Sequence, residues 1–199
     1  MKKTGYMIRL KAEMLLRKVA EKLREMSRTD IERFIQGIVR AKRIFVHGAG
    51  RSGLVARAFA MRLMHLGFSV YVVGETTTPS IKKDDLLVII SGSGKTQSVC
   101  AIAKTAKEKK VRLAAITSYL NSPIGKIVDI AVRIKGRVQE DDPRDYLTRQ
   151  ITGLHEPITP LGTLFELTTM IFLDLVVSEL MERQDKSEEH MKAYHTNLE

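Results

Sequence analysis

Gly48-Ala49-Gly50-Arg51-Ser52-Gly53 is the first stretch whose residue types can do chemistry together. It follows the β-rich run Arg43 to His47 and opens a helical pattern. Glycines in that position let backbone N–H groups approach an anion, and the helix N-terminus adds favourable partial charge. Ser52 and the Arg51 guanidinium are further donors. The stretch also matches G-x-G-x-x-G, with the acidic Glu75 about twenty positions on, so a dinucleotide such as NAD is one candidate ligand.

The second stretch, Ser91-Gly92-Ser93-Gly94-Lys95-Thr96, stands in the same relation to the hydrophobic run Leu86 to Ile90. Its ending is that of a nucleotide-binding P-loop, but where that motif needs a glycine, five residues before Gly94, Ile89 stands inside the strand. The loop is too short to wrap a triphosphate. Three clustered hydroxyls and several N–H groups form an anion nest suited to one phosphate monoester.

A third stretch, Leu161-Gly162-Thr163-Leu164-Phe165-Glu166, opens the last long apolar helix, with Pro160 suited to a first helical position. Glu166 can be a general base. Thr163 and Glu166 also have the form of a capping box, which makes the carboxylate purely structural. Residue types alone leave both readings open.

These stretches need elements to position them. Apolar residues recur at helical spacing from about Tyr6 to Met26, and Thr29 with Glu32 has capping-box form ahead of a second helix. Short β-rich runs follow at 43–47, 69–73, 86–90, 112–117 and 128–134, with helical stretches around 52–66 and 96–109. That alternation predicts an α/β fold, a flavodoxin-like, doubly wound, parallel five-stranded sheet with N-terminal and C-terminal helices. In the strand order 2-1-3-4-5 the first and third strands are neighbours, so both Gly/Ser loops line one crevice. Two such loops argue for a compact phosphorylated metabolite over NAD. If the last helix runs antiparallel to the strands, its first turns bring Glu166 to the same edge. The connection from Val73 to Leu86 is short for a crossover helix.

The 199 residues, 44% of them hydrophobic, suit a single domain over 1–199, with N-terminal helices in 1–42, a βαβ core in 43–134 and C-terminal helices in 160–199. Cys100 is the only cysteine and charges interrupt every apolar run, so the expectation is a cytoplasmic protein with no membrane partner. A net charge of +10 makes anionic partners plausible. Nucleic acid is not expected, because Lys and Arg are spread along the chain and 6% aromatics with no Trp give no stacking platform. The five histidines show no H-x-H or H-E-x-x-H spacing, so no metal site is expected.

Together, Val46 to Gly53, Phe59 to Gly67, Val73 to Pro79, Ser91 to Thr96 and Gly162 to Glu166 resemble the sugar isomerase (SIS) domain family, and within it the 6-phospho-3-hexuloisomerases. The resemblance runs over most of the chain. It implies interconversion of D-arabino-hex-3-ulose 6-phosphate and D-fructose 6-phosphate in the ribulose monophosphate pathway, with no cofactor, by a homotetramer with shared active sites. By the same resemblance Ser52 and Ser91, Gly92, Ser93, Gly94, Lys95 and Thr96 bind phosphate, with Gly50 and Arg51 beside them. Glu166 is the base, while His65 and the tail from His195 to Glu199 supply other site elements. Helix length separates His65 by roughly 20 Å from the loop that opens its helix, so its expected place is a neighbouring subunit's pocket. His47, in place of a more usual apolar residue, and His155 and Glu156, in the polar segment 136–159, carry no assigned role. Two other classes fit parts of the pattern: a non-catalytic sugar-phosphate-sensing SIS module and an NAD-dependent oxidoreductase.

Overall fold

The computed structural model describes residues 2–136 and 162–195, with side chains from residue 5 onward. Pro160, His155 and Glu156, and with them the expectations for the polar segment, lie outside the described residues.

Two helices lead in, α1 (Lys2–Arg24) and α2 (Arg28–Arg40). Ser27 caps α2, its Oγ accepting from the Asp30 N–H at 3.2 Å, so the helix starts two residues before the expected Thr29 box. Glu32 is thereby left for another use: it accepts from Arg183 at 2.7 Å, tying α2 to α6 (Thr163–Arg183). Between them run β1 (Ile44–Gly48), α3 (Arg51–His65), β2 (Val70–Val72), β3 (Leu86–Ile90), α4 (Gln97–Glu108), β4 (Arg112–Thr117), the short α5 (Pro123–Ile127) and β5 (Ile130–Arg133). A short α7 (Glu188–Ala193) follows α6.

All strand pairs are parallel and the order is β2-β1-β3-β4-β5, as expected. β3 is central and every one of its five residues is buried, which is why Leu86 to Ile90 reads as an unbroken apolar run. Alternate strand residues serve two cores. Val46, Val88, Ile90 and Ile116 face the larger, built with α2, α3 and α6, in which Phe34 stacks near Phe59 and Phe172 at 6.4 and 5.9 Å between ring centroids. Phe45, Leu87, Ile89 and Ala115 face the smaller, filled by Val99, Ala103 and Ala106 of α4 and Ile124 of α5. The short connection from β2 to β3 holds no helix. Ile81 packs it onto the smaller core, and the Thr78 hydroxyl donates to the Val72 carbonyl at 2.5 Å. None of the described helices is long and apolar enough to cross a membrane.

Candidate active site

β1 and β3 pair in register from Ile44↔Leu86 to Gly48↔Ile90, so the two loops leave adjacent strands at the same level. The chain then diverges, into α3 over the larger core and α4 over the smaller. The winding therefore reverses between β1 and β3, and the crevice at such a switch point is where sheets of this kind bind ligands.

Close backbone approach shapes the first loop. A Cβ on Gly53 would lie 2.7 Å from the Gly48 carbonyl oxygen, and Gly50 caps α3 at φ 56°, in the region L side chains rarely adopt. No side chain caps α3, so its first N–H groups are left to a ligand or water. Ser52 is half-buried and Arg51 exposed at this rim.

Division of labour marks the second loop. Ser91, 4% exposed, uses its Oγ to accept from the Gly94 N–H at 3.2 Å, so it braces the turn from beneath. Gly94 itself stands at φ 61° and its carbonyl accepts from the Ile124 N–H at 3.1 Å, fixing the loop to α5. A Cβ there would overlap Ser122, the buried residue that caps α5. Ser93 is half-buried, with its Oγ accepting from the Lys95 N–H, while Lys95 and Thr96 are exposed. Thr96 is the N-cap of α4 but makes no side-chain cap bond, so no side chain caps the first amides of α4.

The start of α6 joins both loops. Phe165 packs where Gly92 has no side chain, since a Cβ there would lie 3.0 Å from its ring. Glu166 forms an ion pair with Arg51 of the first loop, Nε donating to Oε2. The expected capping box is not what forms: the N-cap is Gly162 at φ 75°, Thr163 is already helical, and the Glu166 carboxylate goes to Arg51. Its side chain is 12% exposed against 58% for Arg51. The stretch around Glu166 includes Gly162 and Phe165, but the packing of Phe165 on Gly92, the Gly162 cap and the Ser122 brace beneath Gly94 are not readable from residue types. Phe165 had a local signal in being large and apolar beside Glu166, whereas the brace depends on contacts distant in sequence.

His65 ends α3 at its far end, roughly 20 Å from Arg51 at about 1.5 Å per residue. It is 4% exposed, its ring 5.2 Å from that of the exposed His195. Burial pushes His65 below the ordinary imidazole value, and the neighbouring His195 and Arg62 push the same way. In one chain these two histidines therefore pair with each other, away from the crevice. His47, at the end of β1, has Nε2 buried without a hydrogen-bond partner among the described residues. Burial lowers its pKa, against a hydrogen bond to the Val73 backbone.

Glu75, the acidic residue of the dinucleotide pattern, pairs with Arg57 of α3. Among the described residues no group of three or more His, Cys, Asp or Glu is placed to hold a metal. What the two loops and the start of α6 bring together is an exposed guanidinium, half-buried and exposed hydroxyls, and one carboxylate.

Over residues 37–143 the sequence matches the SIS domain. It is 44% identical over 168 residues to 3-hexulose-6-phosphate isomerase of Methanocaldococcus jannaschii, covering 84% of this chain and 83% of that protein. With 3-hexulose-6-phosphate isomerase of Bacillus subtilis it shares 40% identity over 188 residues, 91% of this chain and 97% of the relative. The crystal structure of a Methanococcus jannaschii protein, from which the function of a 3-hexulose-6-phosphate isomerase was inferred, matches with a TM-score of 0.77 at 38% identity, covering 94% of this chain and 98% of that one.

Proposed function

The chain belongs to the SIS domain family, and from that premise we propose that it is a sugar-phosphate isomerase interconverting D-arabino-hex-3-ulose 6-phosphate and D-fructose 6-phosphate. The observation that carries this reading is the meeting of Glu166 with both anion loops, through Arg51 and through Phe165 on Gly92.

In this reading Ser93, Lys95, Thr96 and the first amides of α4 hold the phosphate, with Ser52 and the α3 N-terminus facing them across the crevice. Ser91, Gly92, Gly94 and Gly50 set the backbone that makes the seat. The phosphate then fixes C2 and C3 against Glu166. Glu166 takes the proton from C2 of the 3-ketose, giving a 2,3-enediolate. The hydroxyl proton passes between O2 and O3, and Glu166 returns its proton to C3. Arg51 stands where it can offset the charge on an enediolate oxygen. The chemistry draws on these side chains alone, without a cofactor. His65 and His195 act as a pair on a neighbouring subunit's pocket in a homotetramer, and the setting is the ribulose monophosphate pathway of the cytoplasm.

Fructose 6-phosphate in deuterated water tests the reading. The expected result is deuterium at C3 with appearance of the 3-ketose, and a Glu166→Gln protein whose turnover falls ~10²-fold or more while KM changes little. Binding of the sugar phosphate without any deuterium at carbon would falsify the isomerase reading and leave a sensing module.

A further inference from the structure

Glu166 stands in the first turn of α6, where a helix is least held by its own hydrogen bonds. The N-cap Gly162 brings no side-chain bond to that turn. The ion pair with Arg51 holds it weakly, because the guanidinium is 58% exposed and water screens the attraction. What fixes the turn lies on its buried side, at the preceding residue.

Phe165 is 4% exposed and is gripped at three places. Its ring fills the space that Gly92 leaves in the second loop. On the other side a Cβ on Gly136, three residues past β5, would stand 2.7 Å from the Phe165 Cβ. The Phe165 carbonyl accepts a hydrogen bond at 2.7 Å from the hydroxyl of Thr169, a fully buried residue one turn on. Neither Gly92 nor Gly136 stands at positive φ, so backbone conformation does not call for glycine at either position. The close approach of Phe165 does.

One buried serine ties the two glycines together. The Ser118 N–H donates to the Gly92 carbonyl at 3.1 Å. The Ser118 hydroxyl accepts from the Gly136 N–H at 3.2 Å and donates to the Ile134 carbonyl at 2.8 Å. The second loop, the chain after β5 and the start of α6 are thereby one packed unit, and such units transmit displacement rather than absorb it.

We propose that Phe165, clamped between Gly92 and Gly136, is a positioning residue that sets the Glu166 carboxylate against the substrate carbons, with Ser118 holding the clamp. The inference rests on the isomerase reading, in which Glu166 is the base. A reacting group misplaced by about 1 Å loses up to ~10²-fold in rate. Phe165 offers the phosphate no donor, so the loss falls chiefly on kcat and not on KM.

Deuterium incorporation into fructose 6-phosphate, followed over a range of substrate concentrations, tests the clamp. Phe165→Leu is expected to lower kcat about tenfold or more, with KM within about twofold of wild type. Phe172→Leu, in the same core two turns along α6, should lower the thermal midpoint without that fall in kcat. Gly136→Ala, outside the anion loops, should reproduce the loss of kcat in a chain that keeps Phe165. Gly92→Ala combined with Phe165→Leu should lose less than the product of the two single losses, because the smaller side chain makes room for the new methyl. A wild-type protein that puts no deuterium on carbon overturns the isomerase reading itself. With an active wild type, three results overturn the clamp alone: Phe165→Leu and Gly136→Ala both keeping kcat, Phe165→Leu and Phe172→Leu losing it equally, or the Gly92 and Phe165 losses multiplying.

Discussion

Glu166 could spend its carboxylate on the helix it opens or on the crevice beside it, and the two uses exclude each other. A cap needs Thr163 outside the helix with Glu166 folded back to its N–H. Gly162 takes the cap position instead, leaving room for the carboxylate beside it, and the carboxylate pairs with Arg51 of the first loop. At 12% exposure it is sheltered from water, yet its neighbour Arg51 is open to whatever enters. His47 poses the opposite problem, a polar group placed where the fold gives Nε2 nothing to bond. Since burial holds its pKa below the unfolded value near 6.5, the unfolded chain binds the proton first on acidification. Stability is full above that value and falls as pH drops below it towards the folded-state value. His65 adds to the same slope, its pKa also being depressed by burial. His47→Phe is accordingly expected to raise the thermal midpoint at pH 5 more than at pH 8, as measured by circular dichroism. An equal shift at both pH values would show that His47 is not charged in the unfolded chain alone.

At the scale of elements, the proposed anion seat depends on how the second loop is held. Gly94 stands at φ 61° over Ser122, and its carbonyl is tied to α5. An L side chain there costs roughly 1–2 kcal/mol for the left-handed conformation alone, and its overlap with Ser122 adds to that. Gly94→Ala should therefore shift the loop and weaken fructose 6-phosphate binding about tenfold or more, with little change for unphosphorylated fructose, because 1.4 kcal/mol is a factor of ten. Titration calorimetry with both sugars checks this, and equal losses would mean the loop grips the sugar and not its phosphate. Both loops were legible in the sequence because glycine and hydroxyl residues directly after an apolar strand have few other uses. The five strands were legible too, since full burial writes an apolar run such as Leu86 to Ile90. Ser27 as a cap, Gly162 as a cap and Phe165 on Gly92 were not. Ser27 and Thr29 are both suitable cap residues two positions apart, while the partners of Glu32 and Glu166, Arg183 and Arg51, lie far along the chain, and local patterns cannot weigh such competitors.

For the whole molecule, the sheet order followed from the alternation of elements, whereas the exposure of α1 over residues 5–14 did not, because its apolar spacing is the same whether a helix packs on its own core or on a neighbour. The histidine pair raises the same question of completeness. His65 lies at the end of α3 away from Arg51, under the exposed His195, so neither ring serves the crevice of its own chain. Two sites in one rigid domain cannot be brought together by a helix that spans the distance between them, but a closed oligomer can place one chain's histidines at another's crevice. Subunit mixing tests that arrangement. Glu166→Gln and His65→Ala proteins are each expected to be nearly inactive alone. After dissociation and joint reassembly, some pockets contain a native Glu166 from one chain and a native His65 from the other, and activity should return in proportion to those pockets. A mixture that exchanges subunits, verified by mass, yet stays inactive would show that His65 acts within its own chain or only supports α7 against the end of α3.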